Sequence, residues 1–346
     1  MATILASIPD DVEATSSCTP RWQESMRAAI RSSRELLRLL DLPEGLPEQV
    51  YSDRAESDFP VFVPREFIAR MRHRDPQDPL LRQVLASPEE VSRQWTNGAL
   101  LDPVGDEAAT RNPGLLQKYA GRALMLTSGV CAVHCRYCFR RHFDYQSAPK
   151  GKSGWQASLD TLRSDSSVEE VILSGGDPLT VADSQLLWLV DELNRIEHIQ
   201  RIRIHTRVPV VIPQRVCEDM LTWVQISRPS MYFVLHVNHP QEIDASFSES
   251  MRQLRACGVT LLNQSVLLLG INDSPAVQLE LCRKLVNLQI LPYYLHQLDR
   301  VVGALHFESS VATGQAIIEH LRSNLPGYAV PKFVREEAGQ SSKTPL

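Results

Sequence analysis

Residues 123–143 read ALMLTSGVCAVHCRYCFRRHF. The first four are apolar and are followed by Thr127 and Ser128-Gly129, the pattern of a buried strand. Three cysteines follow at once in a C-x3-C-x2-C spacing, Cys131, Cys135 and Cys138, and then a basic-aromatic run. Three thiols cannot all pair as disulfides, and a closed structural zinc site takes four ligands. His142 completes a C-x3-C-x2-C-x3-H pattern that would read as zinc. Alternatively, three thiolates hold a [4Fe–4S] cluster and leave one iron open to an outside ligand. The position of the loop favours the cluster. It leaves the end of a strand, where barrels and open α/β sheets keep their ligands, whereas zinc fingers staple small modules.

Outward from this stretch, further strand patterns fall at 169–176, 200–207, 231–238, 259–270 and 289–297. Helical stretches separate them. In 183–196 the residues Leu186, Leu189, Val190 and Leu193 form one apolar stripe, and Gly258 suits a C-terminal cap. Serial β/α units argue for a parallel sheet with right-handed crossovers. A partial (β/α)6 barrel and an open doubly wound sheet both fit this periodicity. Polar clusters follow the strands: Ser174-Gly175-Gly176-Asp177, His205-Thr206-Arg207, His236 to His239, Asn263-Gln264 and Gln297/Asp299. Their recurrence on one side predicts a single shared site. Upstream, residues 1 to about 20 read as a polar arm. Helical periodicity runs from Trp22 to Leu40 up to the breaker LPEGLPEQ, and short helices are expected up to about Asn112.

The chain has 346 residues, seven cysteines and a net charge of −5. That balance gives no reason to expect nucleic acid as a partner, and no apolar run is long enough for a membrane span. The start, MATILASIPDD, lacks the basic and apolar regions of a secretion signal, so a cytoplasmic protein is expected. An odd cysteine count with one tight cluster fits metal or redox chemistry in a reducing compartment.

C-x3-C-x2-C after the first barrel strand resembles the signature of radical S-adenosylmethionine enzymes, and SGGDP (174–178) resembles their glycine motif. CRYCFRRHF, VILSGGDPL, TRVPVVIPQR, HVNHP, NQSVLLLGIND, PYYLHQLD and SKTP, in that order, resemble the lysine 2,3-aminomutase family. The resemblance covers the chain from about residue 112 onward. It implies a partial (β/α)6 barrel spanning 112–330, preceded by an arm and helical segment (1–111) and followed by a tail (331–346). It also implies three cofactors. Cys131, Cys135 and Cys138 would ligate the [4Fe–4S] cluster. Ser174, Gly175, Gly176, Asp177, His236 and Gln264 would contact S-adenosylmethionine. Lys343 would be the Schiff-base lysine of pyridoxal phosphate, with Lys118, Tyr119 and Arg122 on the phosphate. The substrate implied is L-lysine, its carboxylate on Arg140 and its distal ammonium between Asp299 and Glu336. Glu336 stands where the family has Asp, and the family's glycine run before the lysine is AGQSS here.

Catabolic members carry a zinc site with a cysteine just after G-x-N-D. Here Ser274 occupies that position and no cysteine follows Cys282, so no zinc is expected. The helical segment from Trp22 resembles the branch that makes (R)-β-lysine for modification of translation elongation factor P. Implied partners are an electron donor such as flavodoxin or ferredoxin and the ligase that modifies that factor. Two alternatives remain at this point: a catabolic or osmolyte-type aminomutase, and a CCCH zinc protein touching RNA through RYCFRRHF.

Overall fold

The alternating stretches form parallel strands whose spatial order repeats their chain order. In the computed structural model, which describes residues 21–42, 50–144 and 149–346, one sheet runs β1 to β10 without a reversal. Its parallel strands are β3 (Arg122–Ser128), β4 (Glu170–Gly175), β5 (Arg201–Thr206), β6 (Ser230–Leu235), β7 (Thr260–Val266), β8 (Leu291–His296) and β9 (Lys332–Arg335). A doubly wound sheet reverses its order at a switch point. The strictly sequential order is that of a partial barrel instead. Short β1 (Thr110–Asn112) and β2 (Leu115–Tyr119) extend one edge antiparallel, and β10 (Thr344–Pro345) pairs antiparallel with β9 at the other.

The crossover helices begin where the sequence offers caps. Asp244 accepts from the Phe247 amide (2.7 Å), Ser274 from Val277 (3.3 Å) and Ser310 from Thr313 (3.1 Å), each stabilising its helix by about 1 kcal/mol. Gly258 takes a φ of 77°, ending the helix Ala245–Ala256 as its position suggested. The 183–194 helix buries Leu186, Leu189, Val190 and Leu193. Within β5, Ile202 and Ile204 are wholly buried while Arg201, Arg203 and His205 alternate with them. The isoleucines join the main apolar core, and each contributes roughly 1.5–3 kcal/mol by burial. Arg203 and His205 face the barrel interior.

The N-terminal segment departs from expectation. The single helix read over Trp22–Leu40 is two, α1 (Arg21–Arg27) and α2 (Ser33–Leu39). Between them Ile30 is drawn into a β-bridge with Val63, closed by two backbone hydrogen bonds of 2.8 and 2.9 Å. A tertiary pairing overrides the helical period there. The stretches 81–83, 88–91 and 93–95 are single 3-10 turns. Leu36, Leu40, Phe67 and Leu80 share one apolar cluster with Ile202 and Ile204, so this segment is packed onto the barrel. The polar arm (1–20) and most of the breaker (43–49) lie outside the described residues. Among the described residues no helix is long and apolar enough to cross a membrane.

Candidate active site

The carboxyl ends of the parallel strands open on one cavity of about 670 Å³. Every residue named above as a cluster, cofactor or substrate contact lines it, from Lys118 on β2 to Lys343 near the end of the chain.

One wall is the cysteine loop. Arg136, wholly buried, donates to both oxygens of Glu90 (2.8 and 2.6 Å) and to the carbonyls of Ala55 and Phe59. Arg141 reaches Glu90 (2.8 Å) and the Gly303 carbonyl (2.8 Å). These arginines clamp the loop onto the N-terminal segment; they present no surface to a phosphate backbone, as the RNA-binding alternative requires. His142 Nε2 lies 3.0 Å from the Val302 carbonyl. Burial pushes the Cys138 thiol up to about 11 and Cys131 well above its usual value, and neighbouring thiols add to both. Three thiolates so placed require a cationic group among them. Among the described residues no three His, Cys, Asp or Glu side chains converge on a single ion. A larger [4Fe–4S] group, which spreads its thiolates more widely, fits this donor set.

The glycine motif meets the start of that loop. Gly175 has a φ of 125°, and a side chain there would strike the Ser128 carbonyl; one on Gly176 would strike that of Val130. Only glycines let β4 end so close to β3. The Asp177 carboxylate accepts from Thr206 Oγ1 (2.8 and 3.0 Å) and from the amides of Leu179, Arg207 and Val208 (3.0, 2.7 and 3.2 Å). It braces β4 against β5. Deeper in, His236 Nε2 lies 2.8 Å from the Tyr137 hydroxyl, and burial pushes its pKa down to about 3. Gln264 Oε1 sits 3.2 Å from His296 Nε2.

The opposite end is a charge cluster assembled from distant parts of the chain. Lys343 pairs with Glu336, which also accepts from the Tyr119 hydroxyl (2.6 Å). Burial disfavours the Glu336 carboxylate, but Lys343, Tyr119 and Lys118 outweigh it and hold its pKa below the usual range. Asp299 makes no side-chain hydrogen bond or ion pair among the described residues. Burial pushes it up to about 7, with Lys343 opposing and Glu336 adding. This acid lacks a cation. Arg140 donates through Nε to Asp106 (2.6 Å) and through Nη1 to Ser174 (3.4 Å), while the other Asp106 oxygen lies 2.7 Å from Lys118 Nζ.

The three residues expected for phosphate divide. Lys118 and Tyr119 lie on β2 and turn toward Asp106 and Glu336. Arg122, on β3, lies over the Tyr119 ring at 4.4 Å. Burial pushes the Tyr294 phenol up and Arg122 and Arg203 pull against it, so two arginines gather on that side.

Sequence reasoning missed Arg203, Asp106 and His296. Arg203 is tied to Glu170, and its Nε is buried without a hydrogen-bond partner among the described residues. Burial, Arg203, Lys343 and Arg140 hold the neighbouring His205 neutral. The alternation Arg201, Arg203, His205 was the available signal. Asp106 sits in an irregular loop and carried none.

Residues 120–210 match the model described as a 4Fe-4S single cluster domain. The chain is 46% identical to the L-lysine 2,3-aminomutase of Haemophilus influenzae, covering 93% of this chain and 94% of that one. It is 44% identical to the protein so named in Escherichia coli, covering 94% of each chain. The chain belongs to the lysine 2,3-aminomutase family. It is therefore an isomerase, built on a partial β/α barrel. A member from Clostridium subterminale is more distant, 34% identical over 94% of this chain and 77% of the relative.

Proposed function

We propose that the protein converts L-α-lysine to β-lysine using a [4Fe–4S] cluster, S-adenosylmethionine and pyridoxal phosphate. The observation that carries this reading is the return of Lys343, by way of β9 and β10, into the cavity lined by the three cysteines. When bound, the cluster and S-adenosylmethionine supply a hydrogen-abstracting radical, and pyridoxal phosphate supplies a π-system that lets nitrogen move between adjacent carbons.

The chain's own residues bind, orient and exclude water. Cys131, Cys135 and Cys138 hold the cluster. Ser174, Gly175, Gly176, His236 and Gln264 line the space beside it for S-adenosylmethionine, and Asp177 fixes the strand ends that shape that space. Lys343 holds pyridoxal phosphate; Arg122, with Lys118 and Tyr119, neutralises its phosphate, and Arg203 adds a second guanidinium. Arg140 offers a planar fork to the substrate carboxylate, and Asp106 sets the plane of that fork. Asp299 and Glu336 take the distal ammonium. A buried ammonium requires opposite charge, and Asp299 is the acid still without a cation. We assign the barrel to 112–330 and the cofactor tail to 331–346.

For the product we assign (R)-β-lysine, destined for elongation factor P through a ligase, with an electron donor such as flavodoxin or ferredoxin. Ser274 in place of the catabolic zinc cysteine and the resemblance of the N-terminal segment support this branch. Anaerobic reconstitution followed by borohydride reduction and peptide mapping tests the core reading. The expected result is iron–sulfur absorbance, a reduced pyridoxyl group on Lys343, and β-lysine formed from L-lysine under reducing conditions. Absence of cluster absorbance would overturn it. Elongation factor P from cells lacking this protein should lose its β-lysyl mass, and an unchanged mass would overturn the physiological assignment.

A further inference from the structure

Arg207 follows β5 and is buried, with 6% of its surface exposed, on the wall behind the cysteine loop. Its Nη1 lies 2.8 Å from Cys135 Sγ and 2.7 Å from the Tyr137 hydroxyl. Its Nη2 donates to Gln83 Oε1 (2.7 Å) and to Glu242 Oε2 (3.1 Å). Glu242 is wholly buried and accepts in turn from the amides of Asn238 and His239, both at 3.0 Å. The Arg207 amide is tied to Asp177 (2.7 Å), and its guanidinium lies 5.3 Å from the centre of the Phe67 ring. Backbone and fork are both fixed. None of the roles given above uses this cation, yet it points at one thiolate of the cluster loop.

We propose that Arg207 tunes the reduction potential of the [4Fe–4S] cluster through a fixed N–H donor and positive charge on the Cys135 sulfur. The inference rests on the cluster reading of the three cysteines. Reduction adds one electron to the cluster, delivered by an external low-potential one-electron donor, and no bond breaks or proton moves. Part of that added charge resides on the ligating sulfurs. A donor and a cation held against one of them stabilise the reduced state more than the oxidised state, which raises the potential. Glu242 acts in the opposite sense: it anchors the fork and also offsets some of its charge. A purely structural role for Arg207 predicts no such pair of opposite effects.

The test is an anaerobic redox titration of the reconstituted full chain, poised with dithionite and viologen mediators and read by electron paramagnetic resonance of the reduced cluster. Iron and acid-labile sulfide are measured in each sample. Arg207→Gln should lower the ratio of reduced to oxidised cluster at a fixed potential about tenfold, equivalent to ~59 mV for a one-electron couple. Arg207→Lys should recover part of the shift. Glu242→Gln, which keeps the arginine and removes its counter-charge, should move the midpoint the other way. An Arg207→Gln protein with full iron content and an unshifted midpoint overturns the inference and leaves the cluster reading standing. A wild-type chain that assembles no cluster overturns the reading itself. If Arg207→Gln takes up no cluster, Glu242→Gln decides: an unshifted or lowered midpoint, or failure of both variants to assemble, assigns the arginine to structure alone.

Discussion

The two ends of the cavity handle charge differently. At the cysteine wall, Arg136 and Arg141 share Glu90, and Arg207 meets Glu242. Each cation has its acid within the frame, and those acids are buried. At the other end Lys343 pairs with Glu336 and both Lys118 and Arg140 pair with Asp106, while Asp299 has no such pair among the described residues and a pKa raised to about 7. The first arrangement holds a loop in place whether or not anything binds. The second is incomplete by itself, as a site for a charged molecule must be.

Removing a cysteine would erase the distinction altogether. Cys135→Ala should abolish cluster absorbance and turnover together; turnover surviving in that variant would break the assignment. Asp299→Ala separates the ends next. It should lower kcat/KM for lysine on the order of a hundredfold, as truncating one partner of a buried charge pair does, with iron content and Lys343 labelling unchanged. Its denaturation midpoint should not fall. Glu90→Gln is the converse, leaving two buried guanidinium groups without an acid. A loss of about 3–5 kcal/mol in denaturant unfolding is expected, and a loss near zero would remove the contrast in stability.

Sequence alone reveals these ends unequally. The six central strands follow from alternation, because burying one face of a strand imposes a period of two. The cysteine wall follows from spacing. Arg203 is hidden because a polar face on a strand ordinarily means solvent, whereas on β5 that face is the barrel interior. Asp106 is hidden more deeply. Its partners, Lys118 and Arg140, stand 12 and 34 residues away, and nothing in the loop around it has a period. The break at Ile30 depends on Val63, a partner that no local pattern indicates.

Acidity sharpens the comparison further. With its pKa raised from 3.8 to about 7, Asp299 is neutral below that pH and cannot pair with an ammonium. KM for lysine should therefore rise as pH falls below about 7, up to roughly tenfold per unit, and Asp299→Asn should flatten this limb of the profile. Identical acid limbs in the wild type and in Asp299→Asn would refute the assignment. For folding the sign is opposite to that of a salt-bridged carboxylate. This group's stabilising contribution is complete below pH 3.8 and is lost as pH rises through about 7. The smallest effect expected is that of Tyr119→Phe, which removes one hydrogen bond from Glu336. KM should rise by only a few-fold, a loss of about 1 kcal/mol, with no change in cluster content.

The ion pair between Lys343 and Glu336 has a consequence for how the site is filled. On the assignment proposed above, one of the two acids meant for an incoming lysine ammonium, Glu336, already holds an ammonium, the protein's own. Until Lys343 is engaged elsewhere, free lysine competes with a tethered rival whose effective concentration is on the order of millimolar. On that assignment, loading the cofactor onto Lys343 and vacating Glu336 are one event, and the chain admits its substrate only after it has been equipped to transform it.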